Sequence, residues 1–242
     1  MTEALEAHLR RQIDHSSRFF WHRLRWRVVC RYLPRDSPFE MVDVGAGAGL
    51  FGSFLRRDRP QATYRFVEPI DSLCEYLRAT YGQQADAAAD TDYRSAQFVI
   101  LLDVLEHQQD DREFLKNLVA KMAPGSMLLL TVPALPRLWS SWDVALGHFR
   151  RYDKAALLGC VEDLPLAVSE VSFLFPEMVP LAVLRARGKK SSAEVEARDE
   201  ADLPDLPGIV NDVLYGLGTT SLALRSHWKV GTSLFMAASV TG

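Results

Sequence analysis

The sequence predicts an α/β protein with a doubly wound, mostly parallel sheet, and three observations lead to this fold class. A short apolar run, Met41–Val44, ends in a glycine-alanine turn before a helical pattern starts. Two further unbroken apolar runs, 97–102 and 127–132, are typical of parallel strands buried on both faces. Helical patterns separate these strands, so ligands are expected at the carboxyl ends of the strands.

Length and composition predict one globular domain. The chain has 242 residues, of which 48% are hydrophobic and 24% charged, and a formal net charge of −3 gives no long-range attraction to nucleic acid. Cys30, Cys74 and Cys160 form no metal pattern and are typical of a reducing compartment. No apolar run approaches the roughly 18 residues that span a bilayer. The sequence therefore predicts a cytoplasmic protein and leaves its oligomeric state open.

The first half of the chain continues the strand-helix alternation. Residues 63–67 have a strand pattern, and the helix predicted over 71–81 ends at Gly82. A weak third strand is expected near 83–85. Asp110 and the residue after it cap the helix that follows the apolar run 97–102.

The second half departs from this alternation and then resumes it. Residues 134–155 crowd aromatic and polar side chains into one connection, which predicts a lid. The charged stretch 188–207 has few apolar residues and is expected to be a solvated, mobile loop. The remaining elements are a strand over 166–174, helices over 176–186 and 209–226, and a closing strand over 232–240.

Residues 1–33 are expected to form a helical cap, with 34–242 as the main domain. Aromatic and basic side chains alternate densely around Phe20, Trp21 and Arg25. Two interpretations stay open. These residues pack an aromatic core contact among solvated arginines, or they close over the mouth of the glycine turn.

The glycine turn predicts a ligand but does not identify it. Gly45 and Gly47 allow a sharp turn and a close approach of the backbone to a ligand. The dinucleotide spacing G-x-G-x-x-G is also present, as Gly47, Gly49 and Gly52. Glu68 follows Gly49 by 19 residues (68 − 49), a spacing at which a carboxylate accepts hydrogen bonds from a ribose hydroxyl pair.

The stretches Asp43–Gly49 and Leu101–His107, together with Glu68, resemble the class I S-adenosylmethionine (SAM)-dependent methyltransferases. Further stretches resemble a bacterial subgroup of small-molecule methyltransferases: 20–23, 131–134, 138–140, 147–152 and 231–234. The resemblance covers nearly the whole chain. It implies a seven-stranded, Rossmann-like sheet with an antiparallel C-terminal hairpin edge, SAM as cofactor, and a small-molecule acceptor with an oxygen, nitrogen or carbon nucleophile, for example in natural-product or glycan biosynthesis.

The resemblance also implies cofactor contacts, position by position. The expected contacts are Arg25 with the carboxylate, Asp43, Gly45, Ala46 and Gly47 with the methionine half, Glu68 with the ribose, Asp86 and Ala87 with the adenine, and Leu102 and Asp103 with the amino group. A solvated surface position is the alternative for Arg25.

Catalytic and acceptor-binding groups are expected in the lid and the cap. His148 is the predicted general base, because an imidazole titrates near neutrality, and His107 is expected to help position the acceptor. The alternative for His148 is a structural histidine that pins the lid. The other expected site residues are Tyr152 for catalysis and Phe20, Trp21, Trp139, Trp142, Arg150 and Arg151 for the acceptor. No metal site is expected, because Glu106 and His107 have no third ligand at ligand spacing.

Two other functions remain possible from the sequence. An NAD-dependent oxidoreductase would explain the glycine pattern and Glu68. However, the chain lacks a Tyr-x-x-x-Lys pair, and the stretch Asp103–His107 would have no evident function in such an enzyme. A SAM-binding partner subunit without catalysis is the third hypothesis, and the intact lid with His148 argues against it.

Overall fold

The computed structural model describes residues 6, 9–10, 18–88, 90–188 and 206–242. In this part of the chain six strands form one sheet. They are β1 Glu40–Val44, β2 Thr63–Val67, β3 Phe98–Leu102, β4 Met127–Pro133, β5 Leu166–Leu174 and β6 Ser233–Val240.

The sheet has the strand order β2-β1-β3-β4-β6-β5. Strands β1 to β4 are parallel, whereas β6 runs antiparallel to both β4 and β5. This arrangement confirms the predicted α/β fold class and its antiparallel C-terminal edge. Six strands, and not the seven that the resemblance implied, are present among the described residues.

The expected third strand is a short 3₁₀ helix, Gln83–Ala85, followed by one isolated parallel bridge between Phe66 and Asp86. The physical reason lies in the residues around the bridge. Asp86 accepts hydrogen bonds from the Arg78 side chain and from the backbone N–H of Ala88, which turns the chain away after one residue. The sheet therefore ends at β2.

Eight α-helices surround the sheet in the described part of the chain. They are α1 Phe20–Val29, α2 Leu50–Asp58, α3 Asp71–Tyr81, α4 Asp111–Val119, α5 Ser141–Ala145, α6 Lys154–Gly159, α7 Val179–Gly188 and α8 Gly208–Ala223. The Asp110 side chain caps α4 by accepting from the N–H of Glu113, as the sequence predicted.

Each face of the sheet has its own apolar core. In β3, Ile100 and Leu102 belong to one core cluster, and Val99 and Leu101 to the other. Alternate residues of a strand point to opposite faces, so a strand covered on both sides is apolar throughout. This double burial explains the unbroken apolar run in the sequence.

Helix α1 is held in place by α8, from the other end of the chain. The Asn211 side chain accepts from the N–H of Phe20 at 2.8 Å and donates to the carbonyl of Arg18 at 2.9 Å. Leu24 packs so closely on Gly218 that a Cβ there would lie 2.2 Å from it. The cap is thus tied to the C-terminal part of the fold.

Parts of two sequence predictions lie outside the described residues. These are the polar first half of the cap, apart from residues 6 and 9–10, and positions 189–205 of the expected loop. None of the helices that the structure describes has the length and apolar character required to cross a membrane.

Gly231 tests the close packing at the start of β6. A Cβ at this position would lie 2.2 Å from the carbonyl oxygen of Leu174, a backbone atom that cannot rotate away. We expect Gly231→Ala to lower the free energy of unfolding by about 1–3 kcal/mol in urea denaturation. The matched control is Gly216→Ala within α8, where a Cβ meets nothing within 4 Å and should stabilise by about 0.5–1 kcal/mol. Equal effects of the two substitutions would contradict this packing.

Candidate functional site

A cavity of about 440 Å³ opens at the carboxyl ends of β1, β3 and β4. Its walls come from α1, the turn after β1, the segment after β3, the lid, and helices α7 and α8. This position is where a parallel sheet of this type binds ligands. The cavity therefore lies where the sequence predicted it.

The glycine turn forms the floor beside β2. Gly45, Gly47 and Gly49 all have positive φ angles, of 74°, 56° and 70°, which disfavour side chains. The Glu68 carboxylate accepts from the N–H of Gly47 at 2.7 Å and from the N–H of Ile70 at 2.9 Å. Glu68 thus fixes the turn at the edge of the cavity.

Asp43 lies beneath this turn and is almost completely buried. The Tyr64 hydroxyl donates to its carboxylate at 2.9 Å. The pKa of Asp43 is raised to about 7, chiefly by burial and also by the nearby Glu68 charge, while the Tyr64 hydrogen bond and Arg25 partly oppose the increase. This carboxyl is therefore partly protonated near neutral pH.

An ion pair joins the cap to the end of β3. Arg25 is 5% exposed, and its guanidinium donates to the Asp103 carboxylate, whose other oxygen accepts from the Thr131 hydroxyl at 2.8 Å. Asp103 adopts a left-handed backbone, with φ 62°. The buried Nε of Arg25 has no hydrogen-bond partner among the described residues. The pair therefore presents both a cation and an anion to the cavity.

A second polar wall follows Asp103. Glu106, His107 and His148 each place one potential ligand atom within 4.8 Å of the others. Burial raises the pKa of Glu106 well above its usual range, and burial beside His148 lowers the pKa of His107 to about 4. The geometry could hold a metal ion. Sequence spacing missed this group because His148 lies 41 residues beyond His107 (148 − 107).

The lid orients His148 through a fully buried carboxylate. Asp143 contacts Nδ1 of His148 at 2.9 Å and accepts from Nε of Arg151 at 2.7 Å. The same carboxylate closes a capping box with Ser140 at the start of α5. Nε2 of His148 lies 4.0 Å from the Glu106 carboxylate. The imidazole ring is thus locked with Nε2 toward Glu106.

Most of the predicted site residues meet at this cavity. The predicted residues that line the cavity are Phe20, Trp21, Arg25, Asp43, Gly45, Ala46, Gly47, Glu68, Leu102, Asp103, His107, Trp142, His148 and Arg151. This places the aromatic and basic residues of the cap at the mouth of the glycine turn. Trp21 stacks on Phe175 with ring centroids 3.8 Å apart, so the cap also packs on the fold.

Five predicted residues do not line the cavity, and Tyr152 and Arg150 among them turn toward α4. The Tyr152 hydroxyl donates to Asp111 at 2.8 Å, and Arg150 pairs with the same carboxylate at 2.8 Å. This geometry does not support catalysis by Tyr152 or acceptor binding by Arg150. Asp111 lies at the first turn of α4, where the helix dipole favours its charge.

Asp86, Ala87 and Trp139 are the other three. Asp86 pairs with Arg78, Ala87 is fully buried in a core cluster, and Trp139 is 40% exposed outside the cavity. The turn that replaces the third strand directs Asp86 away from the cavity. The structure therefore does not bring these residues to the site.

The structure also assigns to the site two acidic residues that sequence reasoning had not placed there. Glu106 lines the cavity, and Asp143 is buried behind His148. Each lies close in sequence to a predicted histidine, His107 or His148, and that proximity was a usable signal. No motif marked the apolar contribution of α7 and α8. Those residues include Leu181, Ala182 and Leu214.

Comparison with known proteins identifies the family of the chain and is consistent with its fold. A family model described as a methyltransferase domain matches residues 12–171, more than half of the chain. The mitochondrial ubiquinone biosynthesis O-methyltransferase of Arabidopsis thaliana is 27% identical over 182 residues, covering 66% of this chain and 52% of that protein. The chain thus spans about half the length of this curated relative.

Solved structures support the fold. A chain in the complex of the Haloferax volcanii Trm112 methyltransferase activator with a methyltransferase has a TM-score of 0.60 at 14% identity, covering 99% of this chain and 96% of that one. A SAM-dependent methyltransferase from Mesorhizobium loti has a TM-score of 0.56 at 13% identity, and the match covers 89% of this chain and 97% of that one. Phosphoethanolamine N-methyltransferase 2 from Haemonchus contortus, in complex with SAM, has a TM-score of 0.55 at 14% identity. The match covers 92% of this chain and 53% of that one.

Asp43 should make stability depend on pH. The pKa of Asp43 is about 7 in the folded protein and near 4 in the unfolded chain. Between pH 4 and pH 7 the folded protein therefore binds more protons at Asp43 than the unfolded chain does. The free energy of unfolding of the wild type should therefore fall as the pH rises from 4 to 7, by up to about 4 kcal/mol relative to Asp43→Asn. Urea denaturation of both proteins at several pH values measures this difference. Parallel pH curves would contradict the assignment.

Proposed function

The chain belongs to the SAM-dependent methyltransferase family, and we propose that it methylates a hydroxyl oxygen of a small-molecule acceptor. The observation that carries the choice of oxygen is His148 at the cavity wall, whose Nδ1 is held by the fully buried carboxylate of Asp143. A hydroxyl must lose a proton when it is methylated, whereas an amine that arrives neutral needs no base. A buried, oriented imidazole is suited to that task.

The residues at one end of the cavity fit the amino-acid part of SAM. The guanidinium of Arg25 and the carboxylate of Asp103 offer one charge of each sign, matching a carboxylate and an ammonium group. The buried, unpartnered Nε of Arg25 is a donor suited to an anionic oxygen. Rearrangement of this pair around the cofactor would satisfy both charges.

The glycine turn fits the rest of the methionine half, and Glu68 fits the ribose. Gly45 and Gly47 line the cavity and have no Cβ, so a ligand can approach their backbone closely. Glu68 already accepts two backbone hydrogen bonds, and each carboxylate oxygen retains a lone pair for a ribose hydroxyl. The carboxylate therefore serves both the turn and the ribose in this proposal.

SAM supplies a methyl group on a cationic sulfur, which is already activated for displacement. The protein then has to align the acceptor oxygen and remove its proton. We assign proton removal to Nε2 of His148, because Asp143 occupies Nδ1 and stabilises the imidazolium that forms. Glu106 and His107 face the same region and would hold the acceptor.

The acceptor is expected to have a largely apolar body. Aromatic and aliphatic side chains from the cap, lid and C-terminal helices line the outer cavity, including Trp21, Trp142, Leu181 and Leu214. Arg151 is engaged with Asp143 and the carbonyl of Ala134, so its charge is satisfied within the lid. The curated relative is named as an O-methyltransferase, which also supports an oxygen acceptor.

Arg25 should contribute directly to SAM affinity. We expect Arg25→Met to weaken SAM binding at least tenfold, because a charged hydrogen bond to a carboxylate contributes about 1.5–3 kcal/mol. Isothermal calorimetry with SAM measures the effect. A separate titration with NAD tests the alternative cofactor. Arg27→Met is the matched control, because Arg27 is an exposed arginine of the same helix, and its hydrogen bond among the described residues is to the Tyr215 hydroxyl, at 3.4 Å. Similar SAM affinities for the two variants would remove Arg25 from the site.

His148 should control turnover without controlling cofactor affinity. We expect His148→Ala to reduce turnover by about 10²–10⁴ with SAM affinity retained, since the loss is that of a general base. The assay follows S-adenosylhomocysteine release with a panel of phenols and alcohols. His227→Ala, on an exposed 3₁₀ helix outside the cavity, is the control and should leave turnover unchanged. Full activity of His148→Ala would show that alignment alone accounts for catalysis.

A further inference from the structure

Three side chains at the acceptor end of the cavity have the composition of a metal site. One carboxylate and two imidazoles, from Glu106, His107 and His148, place their ligand atoms within 4.8 Å of one another. A divalent ion with bonds near 2.1 Å needs such atoms about 3–3.4 Å apart, so the side chains would close by roughly an ångström. Glu106 and His107 share one 3₁₀ turn, and His148 reaches them from the lid.

The outer contacts of both imidazoles already match those of metal-bound histidines. Asp143 contacts Nδ1 of His148 at 2.9 Å, and a ring N–H of His107 donates to the Gly147 carbonyl. Histidine ligands of metals characteristically donate their second N–H to a carboxylate or a carbonyl, which fixes the tautomer. In each ring the remaining nitrogen is therefore available as a ligand.

The third group gives an independent indication of a missing partner. Glu106 is 1% exposed, and its Oε2 has no hydrogen-bond partner among the residues that the structure describes. A buried carboxylate oxygen without a donor is costly, and a cation would satisfy it. The nearest oxygen of Glu106 lies 4.0 Å from Nε2 of His148, so the two groups do not satisfy each other directly.

We propose that Glu106, His107 and His148 bind one divalent transition-metal ion, which coordinates the acceptor oxygen. Two imidazoles and one carboxylate are a ligand set of Zn²⁺, Fe²⁺ and Co²⁺ sites and leave positions open for substrate. The inference rests on the proposed function, because the ion would occupy the wall that the acceptor faces. With the ion bound, Nε2 of His148 would be a ligand and would no longer be the base. The ion would then replace His148 as the group that activates the acceptor, by lowering the pKa of its hydroxyl, and the proton would leave to water.

The surrounding charges favour a dication at this position. Two further carboxylates act on these ligands: Asp103 is close enough to raise the pKa of Glu106, and Asp143 contacts His148. The cations that face the same region, Arg25 and Arg151, are each paired with one of these carboxylates. Neither arginine pairs directly with Glu106 in the described part of the chain, so that side chain is available to a metal ion.

Direct metal binding tests the inference without any knowledge of the acceptor. The tag-free full chain, stripped with a chelator, is titrated with Co²⁺ while its visible absorption and bound metal content are measured. We expect one Co²⁺ per chain. Glu106→Gln and His148→Ala should weaken binding at least tenfold, and Asp143→Asn, which removes the outer carboxylate, by about 10–100-fold. His227→Ala should bind Co²⁺ like the wild type.

Calorimetry with SAM on the same proteins separates this inference from the proposed function. Retained SAM binding with no stoichiometric Co²⁺ site, or equal Co²⁺ affinity in all variants, overturns the metal site and leaves His148 as the base. Melting temperatures without metal identify any variant that does not fold. Should Glu106→Gln or His148→Ala fail to fold, the wild-type stoichiometry and Asp143→Asn decide the outcome. Absent SAM binding in the wild type would contradict the proposed function itself.

Discussion

The ion pair between Arg25 and Asp103 is the interaction on which the arrangement of the site depends. It links the cap helix to the end of β3, although the guanidinium is almost completely buried. Burying charges costs free energy that their attraction only partly offsets, and removing one partner strands the other. Asp103 also adopts a left-handed backbone, a conformation that costs of order 1–3 kcal/mol. Both costs are concentrated at the end of the cavity that we propose binds the cofactor, as expected where function constrains the structure.

The parts that sequence predicted well are those set by local rules. The buried run that became β3 was recognised because both faces of the strand are covered, and β5 has the predicted bounds. The glycine turn comes directly after β1, and Glu68 comes directly after β2. Parallel strands bring their carboxyl ends to one edge of the sheet. The position of the glycine turn, Glu68 and Asp103 around one cavity was therefore predictable as soon as the strands were placed.

The parts that sequence predicted poorly depend on side-chain direction in irregular segments. Tyr152 and Arg150 belong to the same lid as His148, yet they contact Asp111 while His148 faces the cavity. No periodicity determines which way such residues point. The grouping of Glu106 with His148 joins positions 42 residues apart (148 − 106), and only tertiary structure shows it. The missing third strand had a similar cause, because the local turn at Asp86 prevailed over a weak strand pattern.

The contact between α1 and α8 has a consequence for how the protein is made. Asn211 completes the hydrogen bonding of the N–H of Phe20 across 191 residues of sequence. During synthesis the cap helix emerges from the ribosome well before α8, the helix that holds it. The sheet strands β1 to β4 can assemble in between. The cavity, which α8 helps to line, therefore closes only after α8 has folded against the cap.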